Sequence, residues 1–238
     1  MPVFAAAFAA TGSPLHNIWV LVDGTFRWMS RPSRDGYAGI AQQTHYSGHH
    51  HGHGLNYNGL TTPDGLIVEM HGPHAGRRND EHMKAASNLL YRLAMYCGIY
   101  AAFGDKGYHH GNPALQVPYH PPLNDGHRNY NFKVRPVSSR RVFIWRVVCA
   151  CALTFSRCPI QQMSKIRQPV EWSFGKVSSL FAFIDFDKNL KLHKQPVASY
   201  WRVACLLTNC HSCMYGNQTS MYFGMPTPDI EEYLNNGF

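Results

Sequence analysis

Residues 18–25 read Ile-Trp-Val-Leu-Val-Asp-Gly-Thr. The first five are apolar without interruption, which is typical of a strand that is covered on both faces of a sheet. The run stops at Asp23, and the sequence therefore predicts a carboxylate at the carboxyl end of a buried strand. Residues 99–103 form a second apolar run, which Gly104 and Asp105 follow. Two carboxylates are thus expected at the ends of two buried strands.

The residues around these two strands predict a mixture of strands and helices. Two strands are predicted near 55–61 and 66–71, and they flank Thr62-Pro63-Asp64-Gly65, a turn sequence that predicts a β-hairpin. Apolar residues at spacings of three and four predict helices further along. The predicted helices run from Asn79 or Asp80 to Cys97, over 166–181 and over 197–209, and a short strand is predicted at 115–118.

The helix predicted over 166–181 carries a third acidic residue, Glu171. Its apolar spine is Ile166, Val170, Phe174, Val177 and Phe181. Glu171 follows Val170 directly and so lies about 100° round the helix from it, beside the buried stripe. Pro169 lies inside the pattern and is expected either to start the helix or to kink it.

Composition excludes several classes of protein. The chain has 238 residues, of which 45% are apolar, enough for a packed core and too many for a disordered chain. Its longest apolar stretch, at 142–155, is interrupted by Arg146, so no membrane span is predicted. The formal charge is +8, but residues 134–161 contain five arginines and no acid. Without those five the balance is 17 basic against 14 acidic residues, so net charge says little about partners.

Carboxylates that are held at strand ends and on a helix can bind hard divalent cations, which prefer oxygen ligands. Two such ions can activate a water for attack on a phosphodiester and stabilise the leaving oxygen. Because the chain contains 14 acidic residues, many sets of three could be chosen, and the spacing of Asp23, Asp105 and Glu171 is not specific by itself. The residues around the three carboxylates are more specific than their spacing.

Three blocks resemble the catalytic blocks of Harbinger-type DDE transposases, and other blocks agree in order along 18–133 and 162–235. The three are Val22-Asp23-Gly24-Thr25, Gly104-Asp105-Lys106-Gly107-Tyr108 and Val170-Glu171-Trp172-Ser173-Phe174-Gly175. The resemblance implies an α/β, ribonuclease-H-like fold with a central mixed sheet flanked by helices. It also implies that Asp23, Asp105 and Glu171 are the catalytic residues and hold two Mg²⁺ or Mn²⁺ ions. Asp80 matches another acidic position of the family and is a secondary candidate, although it also fits a helix cap.

The sequence departs from the family pattern in two places. The family usually has a helix-turn-helix region before the nuclease, whereas residues 1–17 are a stretch without family resemblance ahead of an endonuclease domain at 18–235. We therefore expect that a separate DNA-binding helper protein could supply DNA-end recognition. Asp105 and Glu171 are also 66 residues apart, and removing the 28 residues of 134–161 leaves the 38 that resemble the family. Residues 134–161 are interpreted as a translated intron, with a genuine insertion as the alternative.

The resemblance implies metal-dependent cleavage and strand transfer on DNA, and so a nuclear protein. Four arginines near the acidic blocks are candidates for DNA contacts: Arg27, Arg31, Arg77 and Arg78. Whether the chain forms an oligomer is left open. The alternatives are a nuclease-dead derivative that binds DNA or a protein partner, and a defective copy that folds poorly.

Overall fold

Six strands form one mixed sheet in the computed structural model, which describes residues 1–13, 15–32, 38–108, 112–117, 160–185, 190–192 and 194–235. The strands are β1 (Ile18–Trp28), β2 (Tyr46–Ser47), β3 (Gly52–Thr61), β4 (Ile67–Ala75), β5 (Ala101–Phe103) and β6 (Leu115–Gln116). Their order is β2-β3-β1-β5-β6, and β4 also pairs with β3. β5 is parallel to β1 and β6, whereas β3 is antiparallel to its neighbours. The predicted central mixed sheet is confirmed.

Helices cover this sheet. They are α1 (Pro2–Ala10), α2 (Ala38–His45), α3 (Asp80–Ala86), α4 (Leu89–Cys97), α5 (Ile160–Leu180), α6 (Val197–Tyr215), α7 (Gln218–Phe223) and α8 (Ile230–Asn235), with 3₁₀ turns at Lys106–Tyr108 and Ala182–Asp185. A search of the described helices finds none that is both long and apolar enough to cross a bilayer.

β1 is buried on both faces, as its apolar run predicts. Leu21 belongs to the larger core cluster, which contains the buried residues of α1, α5 and α6. Val20 and Val22 belong to a second cluster, which contains Leu89 and Leu93 of α4. Because successive side chains of a strand point to opposite faces, Asp23 lies on the face of Leu21, towards α5.

β1 is longer than the predicted strand, which was expected to end at Asp23. β3 pairs with β1 from Leu21 to Trp28, and this antiparallel partner carries β1 past the Asp-Gly pair. The predicted hairpin is confirmed as β3 and β4, and both strands are also longer than expected. In its turn, the Asp64 carboxylate accepts hydrogen bonds from the Thr62 hydroxyl at 2.6 Å and the Leu66 backbone N–H at 3.1 Å.

The helix predicted up to Cys97 is two helices in the structure. Asn79 caps α3 by accepting a hydrogen bond from the His82 backbone N–H at 3.0 Å. Asn88 then adopts a left-handed conformation with φ of 51°, which separates α3 from α4. Asparagine tolerates this conformation better than most residues, so a continuous apolar pattern did not exclude a break here.

The apolar spine of α5 is confirmed. Ile166, Val170, Phe174 and Val177 are all buried in the larger core cluster, and Pro169 lies inside the helix. Of the proposed insertion at 134–161, only Ile160 and Gln161 belong to the described residues, where they begin α5. The last predicted helix, α6, extends past residue 209 to Tyr215.

α1 belongs to the core of the fold. Phe8 is completely buried, and its ring packs against that of Phe223 on α7 with centroids 4.9 Å apart. The alanine-rich sequence of 1–10 contains no polar face, and the sequence analysis assigned it no structural role.

We expect Phe8→Ala to lower the free energy of unfolding by about 3–5 kcal/mol, because it removes a buried ring and leaves a cavity between two helices and β1. Urea denaturation of the metal-free protein measures this change. The matched control is Val3→Ala, since Val3 lies on the same helix but is 63% exposed. A Phe8→Ala effect as small as that of the control would show that α1 does not stabilise the domain.

Candidate active site

Asp23 and Asp105 come together where β1 and β5 stop pairing. The parallel register ends at Leu21 opposite Phe103, so each aspartate lies two residues beyond the last paired position of its strand. The Asp23 side chain is 15% exposed and the Asp105 side chain 34% exposed. The two predicted carboxylates therefore lie at one edge of the β1–β5 pair, and solvent reaches them from one side.

Asp80 lies between these two blocks. A Cβ atom built on Gly24 would be 2.5 Å from Asp80 Oδ1, and one built on Gly107 would be 2.5 Å from Asp80 Oδ2. Both distances are shorter than any tolerable contact, so the two glycines leave the space that the Asp80 carboxylate occupies. The glycines that follow Asp23 and Asp105 thus have a packing role that the sequence alone did not show.

Buried hydrogen bonds hold the turn after β5 against α3 and β3. The Tyr108 hydroxyl donates to Asn58 Oδ1 at 2.8 Å, and the Tyr108 carbonyl accepts from Lys84 Nζ at 2.6 Å. Tyr108 is completely buried, and Lys84 also forms an ion pair with Glu81. These contacts fix the backbone on which Asp105 is carried.

A guanidinium group joins the two strand-end carboxylates. Arg167 Nη1 lies 3.0 Å from Asp105 Oδ1, and Arg167 Nη2 lies 3.7 Å from Asp23 Oδ2. Arg167 is carried by α5 between the buried residues Ile166 and Val170, and its side chain is 27% exposed. Sequence analysis missed this residue. The available signal was a single cation one turn before Glu171, beside the apolar spine.

The electrostatics of the site follow from burial and from the crowding of carboxylates. Burial raises the pKa of Asp23 to about 6, the Arg167 guanidinium opposes this shift, and the nearby Asp80 and Asp105 add to it. Burial also raises the pKa of Asp80, with a further contribution from Asp105. A cation between these groups therefore favours their charged forms.

This pKa shift predicts how stability changes with pH. Asp23 binds its proton more tightly in the folded protein, with a pKa of about 6, than at its ordinary value of 3.8. The stabilisation is therefore complete below pH 3.8 and is lost as the pH rises through about 6. Relative to Asp23→Asn, the wild-type protein should become less stable across this window in metal-free buffer. Urea denaturation at stepped pH measures the difference, and parallel curves for the two proteins would contradict the assignment.

Glu171 is placed on α5 one turn after Arg167, and its side chain is exposed. It lines a groove with Gly65, Lys176 and Asn217. Asp80, Asp105 and Arg167 are the charged side chains that shift the pKa of Asp23, and Glu171 is not among them. The structure thus brings together Asp23, Asp80 and Asp105, with Glu171 on the adjoining helix.

The four arginines predicted to contact DNA have different surroundings. The Arg27 guanidinium lies 3.8 Å from the centroid of the Trp201 ring and donates to the Ser178 hydroxyl at 2.8 Å, so it is engaged inside the fold. Arg31 is exposed and donates to Gln42 Oε1 at 3.0 Å. Arg77 and Arg78 are exposed just before α3, three and two residues from Asp80.

The donor set fits a hard cation, because it consists of carboxylate oxygens that already share one positive group. In the part of the chain that the structure describes, no three His, Cys, Asp or Glu side chains converge closely enough to form a complete metal site. The carboxylates are therefore assembled around Arg167 in this conformation.

One comparison with known proteins gives a match. The family model described as DDE superfamily endonuclease matches residues 22–209, which include Asp23, Asp80, Asp105 and Glu171. No curated protein and no solved structure gives a significant match to the chain. The match covers most of the chain and agrees with the α/β, ribonuclease-H-like arrangement of the sheet and its helices.

Proposed function

Because the chain belongs to the DDE superfamily endonucleases, we propose that it is the nuclease domain of a Harbinger-type transposase, which cuts and transfers DNA strands with the help of divalent metal ions. The observation that carries the proposal is the convergence of Asp23 and Asp105 on one cation at the edge of the sheet. The proposed substrate is DNA, and this substrate implies residence in the nucleus.

Asp23, Asp105 and Glu171 are the proposed ligands of two Mg²⁺ or Mn²⁺ ions. When bound, such ions activate the attacking hydroxyl group and stabilise the leaving oxygen of a phosphodiester. The protein holds the two strand-end carboxylates on rigid backbone, which lowers the cost of arranging them. The assignment of Glu171 as a ligand is supported by the family-like block at 170–175 in which it lies. It is also supported by its place on α5, the helix that packs on the same face of the sheet as Asp23.

Asp80 is proposed as a further acidic residue of the site. Its carboxylate is confined between Gly24 and Gly107, and it contributes to the raised pKa of Asp23. Asp80 is also the first residue of α3, so the cap of that helix is supplied by Asn79 rather than by Asp80. Its side chain is thus available to the site, in contrast to the expectation that it caps the helix.

DNA would approach the site across the exposed residues that precede α3. Arg77 and Arg78 are exposed and adjacent to the acidic cluster through Asp80, which suits contacts to phosphate groups. Arg31 is exposed as well, whereas the guanidinium of Arg27 is engaged with Trp201 and Ser178. We therefore assign DNA contacts to Arg31, Arg77 and Arg78.

A second candidate is a nuclease-dead derivative that still binds DNA or a protein partner. It is favoured by one observation, that no three acidic side chains among the described residues are close enough to hold a metal ion, while Asp23 and Asp105 pair with Arg167. The two candidates differ in chemistry, since a binding protein needs no divalent ion.

Nicking of supercoiled plasmid in Mg²⁺ or Mn²⁺ tests the proposal. The 238-residue chain is compared with a version that lacks 134–161, and each is measured with and without EDTA. Nicking that requires the divalent ion supports the nuclease, and nicking by the shortened chain alone also supports the intron interpretation. If both chains are folded and bind DNA but neither nicks it, the nuclease-dead derivative is the better account.

A further inference from the structure

We propose that the Arg167 guanidinium is the resident cation of the carboxylate site, which holds Asp23 and Asp105 together in the absence of divalent ions and competes with those ions for the same oxygens. The inference rests on the proposed function, because it concerns how the same site is regulated. It adds a positioning residue that neither the family match nor the sequence analysis identified.

The geometry is that of a bridge between two carboxylates. Two different nitrogens of the guanidinium face two different residues, Nη1 towards Asp105 and Nη2 towards Asp23. A planar group with several donors can serve two acceptors at once, which a lysine ammonium does less well. The buried neighbours Ile166 and Val170 fix the part of α5 from which the side chain extends.

The charge balance explains why the site needs such a bridge. Asp80 lies against Gly24 and Gly107, beside the turns that carry Asp23 and Asp105, and Arg167 pairs with both of these strand-end carboxylates. Removal of the guanidinium would take away the positive charge that Asp23 and Asp105 share. A divalent ion prefers the same carboxylate oxygens, so the guanidinium and the ion compete for one set of atoms.

The contacts of Arg167 also allow a divalent ion to displace it from the two carboxylates. Arg167 Nε is buried and has no hydrogen-bond acceptor among the described residues. An unsatisfied buried donor makes this arrangement less favourable than a fully paired one. A divalent ion that takes the Asp23 and Asp105 oxygens therefore displaces a guanidinium that is only partly satisfied.

The test combines metal-free stability with Mn²⁺ binding, both measured on the full chain. In metal-free buffer, Arg167→Gln should destabilise the wild-type protein more than it destabilises Asp105→Asn, because the second protein has already lost one partner of the bridge. Additive effects in this double-mutant cycle would overturn the inference.

In the second arm, the dissociation constant for Mn²⁺ is measured by calorimetry. Arg167→Gln should bind Mn²⁺ about tenfold more tightly than the wild-type protein, because a charged competitor is removed. Arg167→Lys keeps the charge but cannot bridge both carboxylates, so it should bind Mn²⁺ several-fold more tightly than the wild-type protein. This variant replaces Arg167→Gln in the test if the glutamine variant does not fold. Arg92→Gln is the matched control, since Arg92 pairs with Glu69 outside the site and its loss should leave Mn²⁺ binding unchanged.

Two outcomes separate this inference from the proposed function. In the first outcome, the wild-type protein nicks DNA with Mn²⁺, but neither Arg167 variant binds Mn²⁺ more tightly than the wild-type protein does. This result would overturn the role of Arg167 as the resident cation and leave the proposed function standing. The absence of both Mn²⁺ binding and nicking in every protein would overturn the proposed function, and competition with metal ions would fall with it.

Discussion

Asp105→Asn is expected to lower the rate of Mn²⁺-dependent plasmid nicking by about 10³-fold or more. Asparagine keeps the size of the side chain but removes the negative charge that a divalent ion needs, and several kcal/mol of charge stabilisation corresponds to this loss in rate. Asp105 follows β5 by two residues and its turn is held by Tyr108, so the substitution should leave the fold intact. Initial rates of nicking measure the effect.

Asp229→Asn is the matched control for this substitution. Asp229 is exposed, and its carboxylate accepts a hydrogen bond from the Glu231 backbone N–H at 2.9 Å, a contact that an asparagine oxygen can also make. Its nicking rate should equal that of the wild-type protein. If folded Asp105→Asn retained full activity, Asp105 would not be a catalytic ligand.

Trp201→Ala is expected to lower the free energy of unfolding by about 3–5 kcal/mol, because it removes one of the largest buried side chains of the described residues. Trp201 on α6 is 2% exposed, and its ring lies 6.5 Å from those of Tyr57 on β3 and Phe174 on α5. The Arg27 guanidinium lies over the same ring. The substitution therefore leaves a large cavity and removes the aromatic face under a buried cation.

Urea denaturation of metal-free protein measures this loss, with Tyr215→Ala as the matched control. Tyr215 is at the end of the same helix and is 71% exposed, so its removal should change stability by less than about 0.5 kcal/mol. A loss below about 1 kcal/mol for Trp201→Ala would show that α6 is not packed on the sheet as described.

The elements that were predicted correctly are those with a local signal. The apolar run at 18–22, the Pro-Asp-Gly turn and the spine of α5 each contain within a few residues the pattern that determines their structure. The continuation of β1 past Asp23 could not be predicted, because it depends on pairing with β3, from Gly24 opposite Asn58 to Trp28 opposite Gly54. α1 was missed because its composition does not show what Phe8 packs against.

The candidate site was predictable in part for the same reason. Asp23 and Asp105 follow apolar runs, and parallel strands bring their ends to one edge of a sheet. Arg167 was not predictable, because an arginine on a helix is ordinarily solvated and its role here depends on how α5 lies across β1. The role of Gly24 and Gly107 likewise depends on the approach of Asp80 from α3.

The most direct test of the central claim is to map the metal site with Fe²⁺. In the presence of ascorbate and hydrogen peroxide, Fe²⁺ bound in place of Mg²⁺ produces radicals that cut the protein backbone beside the ion. We predict cuts next to Asp23, Asp105 and Glu171, and next to Asp80, that excess Mg²⁺ suppresses and that Asp23→Asn abolishes. Cuts confined to other parts of the chain, or a pattern that neither Mg²⁺ nor Asp23→Asn changes, would contradict the assignment of these carboxylates as the metal-binding site.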